Sequence, residues 1–295
     1  MIRKKLLLSI QFLYKLLPWL GVAAAIAYIG VCIFLYVGQP HFIFSPTTVI
    51  EKTPAYFNQT YEEVWLPVKS VSGKVTRMHG WWIPKSNPEN KVLLYLHGNG
   101  ENIGANTGHA VRLQQLGFSV LLIDYRGYGR SGGDFPNEAR VYQDAGIAWD
   151  YLVQERRFSP QQIYIYGHSL GGAIAIDLAV KHPNAAGLIV ESSFTSIRQV
   201  VDYNNKFWMF PVDLLLTQRF ESIKKVPNLK MPVLFIHGTA DSTVPAFMSQ
   251  KLYQATKEPK ALLLVKGSGH NNTALFATAQ YIQAVRSFLQ QVYRQ

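Results

Sequence analysis

The chain has 295 residues, 48% of them apolar and 16% charged, with a formal net charge of +11. That composition excludes a disordered polyelectrolyte, and no repeat of roughly 20–50 residues divides the chain as a solenoid would. A single cysteine, Cys32, leaves no intrachain disulfide to form and no thiolate-based metal site.

In chain order, residues 1–15 form a basic segment carrying Arg3, Lys4, Lys5 and Lys15. Residues 16–38 follow without a charge, with Trp19 near one end and Tyr36 near the other. A helix of that length crosses a hydrocarbon core of about 30 Å, and both aromatic residues suit the interfaces. A cleavable signal would stop at small residues, but here apolar sequence continues past Ala27, so the run reads as an uncleaved transmembrane anchor. The next basic residue is Lys52. The positive-inside bias therefore predicts a single pass with a cytoplasmic N-terminus and an exported globular domain, residues 39–295. The lipid bilayer is the expected partner. No dense Lys/Arg run or nucleic-acid motif lies beyond the N-terminus, so nucleic acid is not one. The oligomeric state is left open.

After a lead-in over residues 39–54, residues 63–68 and 77–83 read as a β pair around Ser72 and Gly73. Short apolar runs follow at 92–96, 120–123, 163–166, 187–190, 233–236 and 261–265, each suited to a strand buried on both faces. Helical stretches at 109–116, 139–154, 170–181 and 273–289 separate several of them. This alternation predicts an α/β class with a mainly parallel central sheet flanked by helices, and with function at the carboxyl ends of the strands. Residues 194–231 contain no strand pattern and read as a small helical cap insertion. Its apolar members, Phe207, Trp208, Met209, Phe210 and Leu214 to Leu216, either pack the cap or line an acyl channel.

A serine hydroxyl becomes a nucleophile only with a base, an acid to orient that base, and amide donors for the oxyanion. Gly167-His-Ser-Leu-Gly171 supplies Ser169 between a strand pattern and a helix pattern, the arrangement of a nucleophile elbow. A second match centres on Ser131 but leads into no immediate helix. The acid and then the histidine should follow at strand ends. Asp241 and His270 meet that order, while Asp124 and Glu191 are rival acids. The backbone amides of Asn99, in a Gly-rich turn, and Leu170, at a helix start, are the oxyanion candidates. His97, His168 and His237 read as structural, and His41, His79, His109 and His182 have no evident partner. No carboxylate–histidine cluster has metal spacing, so no metal or other cofactor is expected.

Five motifs together carry a resemblance: His97-Gly-Asn-Gly-Glu-Asn, Asp124-Tyr-Arg-Gly-Tyr-Gly-Arg-Ser-Gly-Gly, Gly167-His-Ser-Leu-Gly-Gly, His237-Gly-Thr-Ala-Asp and Gly267-Ser-Gly-His-Asn. The chain resembles the membrane-anchored α/β-hydrolase domain-containing proteins, whose hydrolase domain is similar to the serine-aminopeptidase-like group. The resemblance spans roughly residues 42–289 and implies the α/β-hydrolase fold. It implies Ser169 as nucleophile, Asp241 as acid, His270 as base, and Asn99 and Leu170 as oxyanion donors. One branch of the group deacylates protein cysteines and carries an N-terminal cysteine cluster that this chain lacks. The expected activity is hydrolysis of an acyl ester or thioester through an acyl-enzyme. The alternatives are a serine peptidase, or a non-catalytic membrane-bound scaffold that kept the fold.

Overall fold

The computed structural model describes residues 2–70, 73–85 and 91–292, the side chains of residues 2–13 excepted. Ser72 and the side chains of Arg3, Lys4 and Lys5 therefore lie outside the described residues. The N-terminal apolar run is one helix, α1 (Ile2–Ile43), which continues past residue 38 into the expected lead-in. Pro40 cannot donate the amide that would bond the carbonyl of Tyr36, and Gln39 Nε2 supplies that bond instead at 3.0 Å. Over Tyr14–Ile43 the helix is long and apolar enough to cross a membrane, and its apolar side chains stand exposed.

The sheet begins with β1 (Glu62–Lys69) and β2 (Val75–Ile83), paired antiparallel with Val64 opposite Gly80. In β1 only Val64, Leu66 and Val68 point inward, the alternation of a strand covered on one face. Then follow β3 (Val92–Leu96), α2 (Ile103–Gln115), β4 (Ser119–Ile123), α3 (Glu138–Asp150), β5 (Ile163–His168), α4 (Leu170–Lys181) and β6 (Gly187–Glu191). The cap carries α5 (Ile197–Asn204), α6 (Val212–Leu215) and α7 (Ser222–Lys225). The chain closes with β7 (Val233–Gly238), α8 (Phe247–Ala255), β8 (Lys260–Val265), α9 (Thr273–Phe276) and α10 (Thr278–Val292).

The strand order is β1-β2-β4-β3-β5-β6-β7-β8, antiparallel up to β4 and parallel from there to β8. Alternate residues of the parallel strands feed two cores. Leu94, Ile165, Val190 and Phe235 face α3, α4 and α8, while Tyr95, Tyr166, Ile189 and Ile236 face α2 and α10. Burial on both faces is what turns these strands into unbroken apolar runs.

Three further elements differ from expectation. Helix α2 starts at Ile103, not at 109, because the Asn102 side chain accepts the amide of Gly104 and caps it early. The expected helix over 273–289 is two helices, broken where Ala277 leaves helical geometry at φ −130 and ψ 57. Helix α8 forms in a stretch that carries no clear helical pattern in the sequence.

Candidate active site

Strand β5 runs straight into the turn at Ser169, and α4 leaves it at Leu170. Ser169 has φ 54 and ψ −121, a strained conformation for a residue with a side chain. The turn can be this sharp because its flanks lack side chains. A Cβ on Gly167 would lie 2.2 Å from the carbonyl oxygen of Gly171, and one on Gly171 would lie 2.0 Å from that of Leu96. Ser169 holds the N-cap position of α4 yet caps nothing. Its Oγ instead lies 3.0 Å from His270 Nε2. The Leu170 amide opens the helix, so no carbonyl of its own helix accepts from it, and the helix dipole is positive there.

His270 stands in the loop between β8 and α9, and Asp241 in the loop after β7. Gly238 lets the two loops close on each other: a Cβ there would lie 2.3 Å from the carbonyl oxygen of Ser268. His270 Nδ1 then reaches Asp241 Oδ2 at 2.7 Å. The other carboxylate oxygen accepts the amides of Thr243 and Val244, each at 2.8 Å. His237 Nε2 lies 3.1 Å from Oδ2 and 2.8 Å from the Val244 carbonyl, so this nitrogen carries the proton. Its Nδ1 accepts from the Ser249 hydroxyl at 2.6 Å. Burial by itself would raise the Asp241 pKa. The hydrogen bonds from His237 and His270 outweigh it and hold the carboxyl well below the usual range.

Neither rival acid pairs with His270 among the described residues. Asp124 accepts the Ile103 amide at 2.9 Å and so fixes the start of α2. Glu191 is fully buried and accepts the hydroxyls of Tyr166 at 2.7 Å, Tyr281 at 3.1 Å and Thr273. Burial would raise the Glu191 pKa too, but His109, His168 and the hydroxyl donors together lower it. Ser131 is occupied elsewhere: its hydroxyl donates to the Asp124 carbonyl and accepts the His79 amide, both at 2.8 Å.

Two of the histidines expected to be structural stand directly against the triad residues. His237 buttresses Asp241, and a histidine four residues before the acid was the available signal. His168 Nε2 donates to the His270 carbonyl at 3.0 Å, and burial pushes its imidazole down to about 4, so it works as a neutral donor. The histidines without evident partners also have them: His41 stacks on Phe135, His182 on Trp149, His79 meets Glu63, and His109 faces His168.

The cleft at Ser169 has a volume of about 510 Å³ and a mixed lining, with polar side chains of Asn99, Glu101, His109 and Asn271 beside Tyr95 and Ala105. Gly98 packs against Ser169, where a Cβ would lie 3.3 Å from the serine Cβ. Beside it, the Asn99 carbonyl accepts the Ser45 amide at 3.0 Å and the Tyr128 hydroxyl at 2.6 Å, which fixes the turn. None of the apolar cap residues lines this cleft among the described residues. Phe207, Phe210, Leu215 and Leu216 line a separate apolar groove against Leu35 and Phe42 of α1.

A family profile described as Hydrolase_4, serine aminopeptidase S33, matches residues 87–222. An uncharacterized protein of Mycobacterium tuberculosis, Rv2307c, is 34% identical over 93% of this chain and 95% of its own length. The α/β-hydrolase domain-containing protein WAV2 of Arabidopsis thaliana is 31% identical, with 81% of each chain covered. Among solved structures, the esterase Pf2001 of Pyrococcus furiosus superposes with a TM-score of 0.65 at 21% identity, over 84% of this chain and 97% of its own, and shares the fold.

Proposed function

This chain belongs to the α/β-hydrolase domain-containing proteins, and from that premise we propose that it is a membrane-anchored serine hydrolase cleaving acyl esters or thioesters. The observation that carries the reading is the unbroken chain from Ser169 Oγ through both nitrogens of His270 to Asp241, at 3.0 and 2.7 Å. In this mechanism Nδ1–H donates to Asp241, which leaves the Nε2 lone pair free for the serine proton. Ser169 Oγ attacks the acyl carbonyl as that proton passes to His270. The amides of Asn99 and Leu170 receive the developing oxyanion. The imidazolium then protonates the leaving alkoxide or thiolate, and water, activated by the same nitrogen, frees the acyl group. No cofactor takes part in this scheme. Helix α1 holds the domain at the bilayer, and the basic residues before it favour a cytoplasmic N-terminus.

A fluorophosphonate probe tests the assignment. The wild-type chain and Ser131→Ala should label, while Ser169→Ala should not. An unlabelled wild-type chain would favour the scaffold alternative. Labelling that survives Ser169→Ala but disappears in Ser131→Ala would move the nucleophile.

A further inference from the structure

The cap meets α1 far from the end of that helix. The Tyr28 hydroxyl donates to the Met209 carbonyl at 2.9 Å, and the Tyr28 ring stacks on Phe210 with centroids 5.6 Å apart. Nearer the helix end, Gln39 donates to the Leu215 carbonyl at 2.7 Å and accepts the Thr217 amide at 2.8 Å. The cap thus lies along α1 from Gln39 back to Tyr28, eleven residues and about 16 Å of helix.

That geometry fixes a depth. With Lys15 outside the hydrocarbon, a core of about 20 helical residues runs from Leu16 to near Tyr36. Tyr28 then lies about 12 Å inside the boundary at Tyr36. Whatever packs on Tyr28 lies there with it. We infer that the cap edge over residues 207–214 is a second membrane-inserted element, immersed among lipid acyl chains beside α1. The inference rests on the anchor reading of α1.

The chemistry of the segment fits that occupant. Trp208, Met209 and Leu214 are 75%, 61% and 82% exposed, an unusual display for large apolar side chains facing water. Lipid leaves no water for loose backbone groups, so an inserted turn must satisfy its own. Part of this backbone is satisfied locally: the carbonyls of Phe207, Phe210 and Pro211 accept amides from Phe210, Val212, Leu214 and Leu215, and that of Met209 accepts the Tyr28 hydroxyl. Proline at 211 removes one donor. The one acid in the segment, Asp213, has its charge offset by Arg198 at 2.8 Å. The apolar groove between Phe207, Phe210 and α1 is then open to lipid tails.

Spin-label accessibility in the full-length chain, reconstituted in phosphatidylcholine vesicles on a Cys32→Ala background, reads the depth directly. Labels go to Trp208→Cys, to Ile29→Cys on the helix and to Val75→Cys on the outer strand. The label at 208 should collide with oxygen more than with a water-soluble nickel complex, as at 29, with the order reversed at 75. Met209→Cys replaces Trp208→Cys if the latter misfolds, as judged by circular dichroism. An aqueous signal at 208 with a lipidic one at 29 would overturn the insertion and leave the anchor standing. An aqueous signal at both would overturn the anchor as well.

Discussion

Two regions of this molecule are built by opposite means. At the carboxyl ends of β5, β6 and β7, buried polar groups are held by multiple hydrogen bonds: Asp241 by two histidines and two amides, Glu191 by three hydroxyls. Where the cap meets α1, apolar side chains meet with few polar ties, chiefly Gln39 and Tyr28, and much of the surface stays exposed. Directional bonds in a low-dielectric interior fix atoms to fractions of an ångström. Apolar contact is non-directional and sets only which faces meet. The proposed catalysis would need the first kind, and the proposed attachment to a bilayer only the second.

The sharpest way to break this contrast is at the acid. Asp241→Asn keeps the shape but loses the charge and the tautomer control, so kcat for a p-nitrophenyl ester should fall by about 10³–10⁴ with folding retained. Full turnover in that variant, with loss in Glu191→Gln, would exchange the roles of the two carboxylates.

A second test uses pH. Buried His168 takes a proton only near pH 4 in the folded chain, whereas in the unfolded chain it does so near 6.5. The unfolded state therefore binds the extra proton first, and stability falls as pH drops through that window. The loss between pH 7.5 and 5 should be about 2 kcal/mol by denaturant titration. His168→Gln should flatten the profile over that range; an unchanged slope would mean that the histidine is not held neutral.

Smaller effects belong to the junction. Gln39→Ala leaves the amides of Thr217 and Gln218 without their acceptor, a local cost of about 1–2 kcal/mol. Hydrogen exchange should quicken over residues 205–218 and stay unchanged in α4. Exchange that quickens in both would mean that the two regions are mechanically one. The smallest effect is expected from Trp208→Ala. Since this residue does not line the cleft at Ser169, the dependence of kcat/KM on ester chain length should move by less than about twofold. A flattened profile would return the cap to the substrate path.

Much of the architecture was legible in the sequence because its signals are local. A strand buried on both faces is a short apolar run wherever it lies, and β3 and α4 begin and end where the pattern says. Gly167-His-Ser-Leu-Gly171 writes the elbow into five consecutive residues, since the close approach of β5, β3 and α4 there tolerates no Cβ. Ser169, Asp241 and His270 come in that order because they follow β5, β7 and β8, whose carboxyl ends share one edge of the sheet. Tertiary structure alone decided where pieces distant in sequence meet. Glu191 reads as a rival acid until folding brings Thr273, 82 positions away, onto its carboxylate. Likewise the apolar cap carries no sign of its partner until Tyr28, 181 positions before Met209, bonds it. Hydrophobicity states that a face must be covered, and only the packed chain, through loop closure and shape, selects what covers it.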